Sequence, residues 1–263
     1  VVLRRRAWSL TLRVCCRPLE TERFLAGESY GDGPVQVVFL HGWGRSSADF
    51  RAIATELAEH GISSVAVDLP GFGASPLPET AGGARLYADI VISVLPTIAD
   101  GPVLLVGHSL GGRVAAVVAA TAPERLSGVL FIGAPLLRRG GGTAAPWRYR
   151  VIRFLAKRHL VSATSMERAR QRYGSADYRA ASGLLRDILV TMVNESYDDE
   201  LGRITTPAAF LWGANDTAAS VAMAREAAAL VPGPTTMTVL DDCGHLVPTL
   251  RPDAVVAAVR EAL

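Results

Sequence analysis

The chain has 263 residues, 49% hydrophobic and 20% charged, which allows one α/β domain with or without an insertion, or at most two small domains, and excludes a disordered or fibrous chain. Lys+Arg number 27 against 25 Asp+Glu, and a formal net charge of +2 leaves no footprint for nucleic acid over the whole surface. The three cysteines, Cys15, Cys16 and Cys243, form neither an even disulfide framework nor a pair with zinc-site spacing.

The start, Val1-Val2-Leu3-Arg4-Arg5-Arg6-Ala7-Trp8, is basic, but Ser9, Thr11 and Arg13 interrupt any apolar core of a targeting segment. No stretch reaches the ~18 apolar residues of a membrane span, so the expectation is a soluble, cytoplasmic protein. Residues 7–30 can supply a leading antiparallel hairpin. Residues 35–40 are a β-branched apolar run ending at His41-Gly42 and predict a buried strand. Helical periodicity over 50–59 stops near Gly61, and a second strand over 63–68 closes at Pro70-Gly71. A helix over 86–95, a strand over 102–106, a small-residue helix over 113–120 and a strand over 126–132 follow. After residue 200 come strands over 208–212 and 236–240 and helices over 221–230 and 253–263. Apolar strands without polar alternation, each followed by a helix, require a mostly parallel sheet covered on both faces.

The rhythm breaks over 136–200, which is helically patterned and entered through Gly140-Gly141-Gly142. The expected organisation is a core from 1–135 and 201–263, with 136–200 as a helical cap over the sheet's C-terminal edge. Trp147, Phe154 and Leu189 are candidate substrate-lining residues of that cap. The segment holds 12 Lys+Arg against seven Asp+Glu. A solvated helical face is the simpler reading of this excess, and docking of an anionic substrate or an acidic carrier protein is the sharper one.

The strongest signal is Gly107-His108-Ser109-Leu110-Gly111-Gly112, a G-x-S-x-G motif between a predicted strand and a predicted helix. The turn is so tight that residues two before and two after the serine must be small, and Ser109 is then presented above the sheet. A serine hydroxyl needs a base. His41 sits in a turn, His108 points elsewhere, His60 ends a helix and His159 lies in the cap. His245, in the loop after the last strand, is the best base. Its orienting carboxylate is Asp216, just past the strand over 208–212, because Asp241 and Asp242 lie too close to His245 along the chain. Donors for a developing oxyanion are the backbone N–H of Leu110, at the positive end of a helix, and that of Trp43 in His41-Gly42-Trp43-Gly44. The Trp43 indole is a further pocket candidate.

These segments, with Asp68-Leu69-Pro70-Gly71-Phe72-Gly73, Trp212-Gly213-Ala214-Asn215-Asp216 and Gly244-His245, resemble the α/β-hydrolase superfamily. The resemblance implies an eight-stranded, mostly parallel sheet, a helical lid and a covalent acyl-enzyme, and it makes 68–73 a structural loop near the sheet edge. His-Gly-Trp-Gly with Asp-Leu-Pro-Gly-Phe-Gly is similar to the pimeloyl carrier-protein methyl ester esterases. Ser109 at the elbow argues against dehalogenase and epoxide hydrolase chemistry, which use Asp there. Thr217-Ala218-Ala219 departs from the apolar residue and proline that relatives carry after the acid. The expected activity is hydrolysis of small to medium carboxylic esters, with a small-molecule ester as substrate and no metal or organic cofactor. A carbon–carbon bond hydrolase of the meta-cleavage type uses the same three residues and stays open, as does a non-catalytic, receptor-like use of the fold.

Overall fold

A computed structural model describes residues 12–14, 23–139, 158, 162, 164–165, 168 and 176–263. Two short strands, β1 (Leu12–Val14) and β2 (Arg23–Leu25), pair antiparallel as a separate two-stranded sheet. Seven further strands form the main sheet: β3 (Gly27–Tyr30), β4 (Val35–Leu40), β5 (Ser63–Val67), β6 (Val103–His108), β7 (Leu126–Ile132), β8 (Ala208–Gly213) and β9 (Thr235–Leu240). Their order is β3-β5-β4-β6-β7-β8-β9, with β3 antiparallel to β5 and every other pair parallel.

The mostly parallel sheet is as expected, but it has seven strands among the described residues instead of eight. The leading segment accounts for the difference. Of its three strands only β3 joins the main sheet; β1 and β2 pair with each other, and β1 runs beside the helix over 84–98.

Period-two alternation explains why the sheet is covered twice. Val38 and Leu40 of β4 join Leu105, Phe131 and Trp212 in one cluster, packed by helices α2 (Ala84–Ile98) and α3 (Leu110–Thr121). Val37 and Phe39 face the other way, joining Leu104, Val106 and Ile132. That second cluster is closed by Ile53, Ala54 and Leu57 of α1 (Arg51–Glu59) and by Val255, Val256 and Val259 near the C-terminus. Of the segment 136–200, the described part contains α4 (Ala176–Ala180), α5 (Gly183–Met192) and the start of α6 (Asp198–Leu201). Helices α7 (Val221–Leu230), α8 (Val247–Leu250) and α9 (Pro252–Ala262) complete the chain. No described helix is long and apolar enough to cross a membrane.

All the parallel strands end on the same side of the sheet, so the loops after β4, β6, β7, β8 and β9 converge there. In open α/β sheets that edge is where ligands bind.

Candidate active site

Ser109 stands between β6 and α3 at φ 51 and ψ −107, the single non-glycine residue with positive φ among those described. Such backbone costs about 1–3 kcal/mol and persists only where the surroundings over-determine it. They do so here. A Cβ at Gly107 would meet the Gly111 carbonyl, one at Gly111 would meet the Leu40 carbonyl, and one at Gly112 would meet the Ala134 side chain. Only glycines let α3 start this close to β4 and β6. The turn is also bonded on every side. Ser109 N donates to the Ile132 carbonyl at 2.9 Å and Gly111 N to the His41 carbonyl at 3.0 Å. The Ser109 carbonyl accepts from Gly112 N at 3.1 Å and Arg113 N at 3.2 Å.

The loops after β8 and β9 are stitched together. Ala214 N donates to the Leu240 carbonyl at 2.8 Å and Asn215 N to the Cys243 carbonyl at 2.9 Å. The buried Trp212 indole donates to the Ala219 carbonyl at 2.8 Å, closing the turn that carries Asp216. Asp216 has a fully buried side chain and is fully partnered. Oδ1 accepts from Ala218 N and Ala219 N, both at 2.8 Å, and Oδ2 accepts from His245 Nδ1 at 2.8 Å. A carboxylate accepts only, so the proton sits on Nδ1 and leaves the Nε2 lone pair for Ser109 Oγ, 2.9 Å away. The carboxyls of Asp241 and Asp242 are exposed and stand outside this chain. Such an arrangement can draw the proton off a serine hydroxyl and return it to a leaving group.

Sequence reasoning missed two residues at the site. His108 is not turned away from it. Its buried ring donates from Nε2 to the His245 carbonyl at 2.9 Å, and its centroid is 5.1 Å from that of His245. With Nε2 as donor, Nδ1 is a bare acceptor, buried without a partner among the described residues and lying against Gly42. Burial pushes the His108 pKa down to about 4, so the ring is neutral near pH 7. Gly133, at φ 50 just past β7, is the other. A Cβ there would stand 3.1 Å from Asp216 Oδ2 and 3.4 Å from His245 Nδ1. A lone glycine after a strand has no motif to mark it, and the His108 bond spans 137 positions in sequence.

Around the elbow, the N–H groups of Ser109, Gly111, Gly112 and Arg113 are all engaged by carbonyls. The N–H of Leu110, first residue of α3, has no protein acceptor among the described residues, and neither has that of Trp43 in the loop after β4. The half-buried Trp43 ring packs edge-on against Phe72, with centroids 4.9 Å apart. Leu189 is buried on α5, whereas Trp147 and Phe154 lie outside the described residues. Cys243 is a buried free thiol whose pKa burial pushes up. Among the described residues no three His, Cys, Asp or Glu side chains are grouped to hold a metal ion.

Residues 37–258 match the alpha/beta hydrolase family. A 106-residue stretch is 42% identical to the pimeloyl-[acyl-carrier protein] methyl ester esterase of Aeromonas salmonicida (strain A449), covering 40% of this chain and 39% of that protein. Another, of 102 residues, is 38% identical to the 2-(acetamidomethylene)succinate hydrolase of Mesorhizobium japonicum, covering 39% of this chain and 36% of the relative. The chain thus spans about two-fifths of the length of the curated relatives it matches. Among solved structures, a thermophilic esterase from Thermogutta terrifontis, studied with malate bound, has a TM-score of 0.70 at 24% identity, over 93% of this chain and 94% of that one. That likeness is one of fold.

Proposed function

The chain belongs to the alpha/beta hydrolase family, and on that premise we propose that it is a serine hydrolase cleaving carboxylic esters of small to medium acyl groups. The carrying observation is the unbroken chain from Asp216 Oδ2 to His245 Nδ1 at 2.8 Å and from His245 Nε2 to Ser109 Oγ at 2.9 Å. Ser109 Oγ attacks the ester carbonyl while His245 Nε2 takes its proton. Asp216 holds the ring in the reactive tautomer and stabilises the imidazolium. The N–H groups of Trp43 and Leu110 receive the oxyanion, aided by the N-terminal end of the 12-residue helix α3. His245 then protonates the departing alcohol, leaving an acyl group on Ser109. Water, deprotonated by the same ring, releases the acid and restores the serine.

In this reading residues 136–200 are a cap over the site, with Trp147, Phe154 and Leu189 lining the acyl pocket. The name of the Aeromonas relative and the 12 Lys+Arg of 136–200, against seven Asp+Glu, favour a carrier-bound ester as one substrate class. A p-nitrophenyl ester series of rising chain length tests the reading. Ser109→Ala should lower turnover at least about 1,000-fold. A wild-type protein inert to all these esters but active on a meta-cleavage diketone would be a carbon–carbon bond hydrolase instead.

A further inference from the structure

The loop after β4 carries the Trp43 N–H with little backbone bonding of its own. Its single internal backbone bond runs from Arg45 N to the Gly42 carbonyl at 3.3 Å, and Gly44 takes a left-handed φ of 66. Besides the Gly111 N bond to the His41 carbonyl and the Arg45 ion pair with Asp49, the loop is tied to the neighbouring loop after β5, residues 68–75, at three points. At the entry, the buried His41 ring donates from Nδ1 to the Gly42 carbonyl at 2.7 Å, and its Nε2 accepts from Leu69 N at 2.9 Å. Burial lowers the pKa of His41, which keeps Nε2 an acceptor. At the exit, Ser47 N donates to Asp68 Oδ1 at 2.7 Å. Between these, the Phe72 ring stands edge-on to both His41, at 5.6 Å, and Trp43, at 4.9 Å.

Asp68 is itself locked. Its Oδ2 accepts from Ala74 N at 2.9 Å, and its carbonyl accepts from Ser75 Oγ at 2.5 Å. That same hydroxyl accepts from Ala26 N at 2.8 Å, just ahead of the edge strand β3. Gly73, at φ 54, lies where any Cβ would strike the Asp68 carboxyl. One carboxylate thus joins the two loops, and one aromatic ring wedges them.

We propose that the loop 68–75 is the positioning element of the oxyanion hole, with Asp68 and Phe72 as positioning residues for the Trp43 N–H. The inference rests on the role given above to that N–H. Neither side chain touches the reacting atoms. Each acts through the loop after β4, where a displacement of about 1 Å can cost about 100-fold in rate.

The test compares an ester with its thionoester, C=O against C=S. Sulfur accepts hydrogen bonds poorly, so the thionoester gains little from the hole but still requires Ser109 and His245. The wild type should strongly prefer the oxygen ester. Asp68→Asn places a donor where two N–H groups need acceptors, and Phe72→Ala removes the wedge. Both should lower kcat on the oxygen ester about 10- to 100-fold, with KM within about threefold and the thionoester rate nearly unchanged. Phe72→Tyr should restore the preference. Should Asp68→Asn fail to fold, the Phe72 pair decides the matter alone. Equal losses on both substrates, or no loss on either, would overturn the positioning role while leaving the hydrolase reading intact. A wild type that does not distinguish the two esters, or that stays active as Ser109→Ala, would overturn that reading and this inference with it.

Discussion

Gly133 and His108 support the Ser109–His245–Asp216 chain without belonging to it, and each makes a measurable prediction. A methyl group at Gly133 would press on the Asp216–His245 bond from 3.1 Å and 3.4 Å, in backbone that already disfavours a side chain. Gly133→Ala should lower kcat at least about 10-fold, with KM little changed and the melting temperature reduced by about 2–6 °C. A raised KM at unchanged kcat would contradict this. His108 bears on stability through pH. Its folded pKa, about 4, lies below the unfolded value of about 6.5, so between these limits the unfolded chain binds more protons. Stability from this residue is therefore complete above about pH 6.5 and is lost as pH falls toward 4. His108→Phe should flatten that part of the urea-midpoint profile, and superimposable slopes for the two proteins would refute it. Ser109, Asp216 and His245 were legible because each sits in a short motif at a strand end. The bond from His108 to the His245 carbonyl was not, since local patterning carries no information about which distant carbonyl a ring will meet.

Element boundaries follow the same division. The inner strands of the parallel sheet were legible from apolar runs, whereas the edge strand β9 carries three threonines and buries no residue. Helix α2 runs past the expected stop at residue 95 despite Pro96 in its last turn, where the Ala99 N–H still closes on the Leu95 carbonyl at 3.0 Å. The short helix α8 has too few residues to show a period, whereas the antiparallel pairing of β1 with β2 matches the leading hairpin expected over 7–30. Helix α2 also borrows its N-terminal cap. Gly83 has no side chain to offer, and Glu195, 111 positions away, accepts from Ala84 N at 3.0 Å. The same Oε2 accepts from the Tyr197 hydroxyl at 2.7 Å, and the Arg113 guanidinium donates to the Met192 carbonyl. The C-terminal end of α5 is thereby tied to α2 and to the helix that follows Ser109. Glu195→Ala should destabilise the protein by about 1 kcal/mol, roughly 2–4 °C in melting temperature. Faster amide exchange should appear at Ala84 and across α5 together, and acceleration at Ala84 alone would break the proposed tie.

Charge is distributed unevenly over the molecule as a whole. Residues 136–200 hold 12 Lys+Arg and seven Asp+Glu, which leaves 15 and 18 for the rest of the chain. A net charge of +2 hides this polarity. If an acidic carrier docks at the basic segment, raising salt from 50 to about 300 mM should raise KM for a carrier-bound methyl ester and leave that for a p-nitrophenyl ester unchanged. Parallel responses would remove the carrier from consideration. The two-faced apolar sheet, by contrast, owes nothing to these charges, and among the described residues it holds a single side-chain-bearing residue in backbone that disfavours one. Ser109, at φ 51 and ψ −107, is the position where the fold and the proposed chemistry pull apart. Glycine there would ease the turn and, under the mechanism proposed above, remove the attacking hydroxyl. Under that mechanism the substitution that relaxes this turn is also the one that ends turnover, so a copy released from selection for activity has a downhill route at position 109.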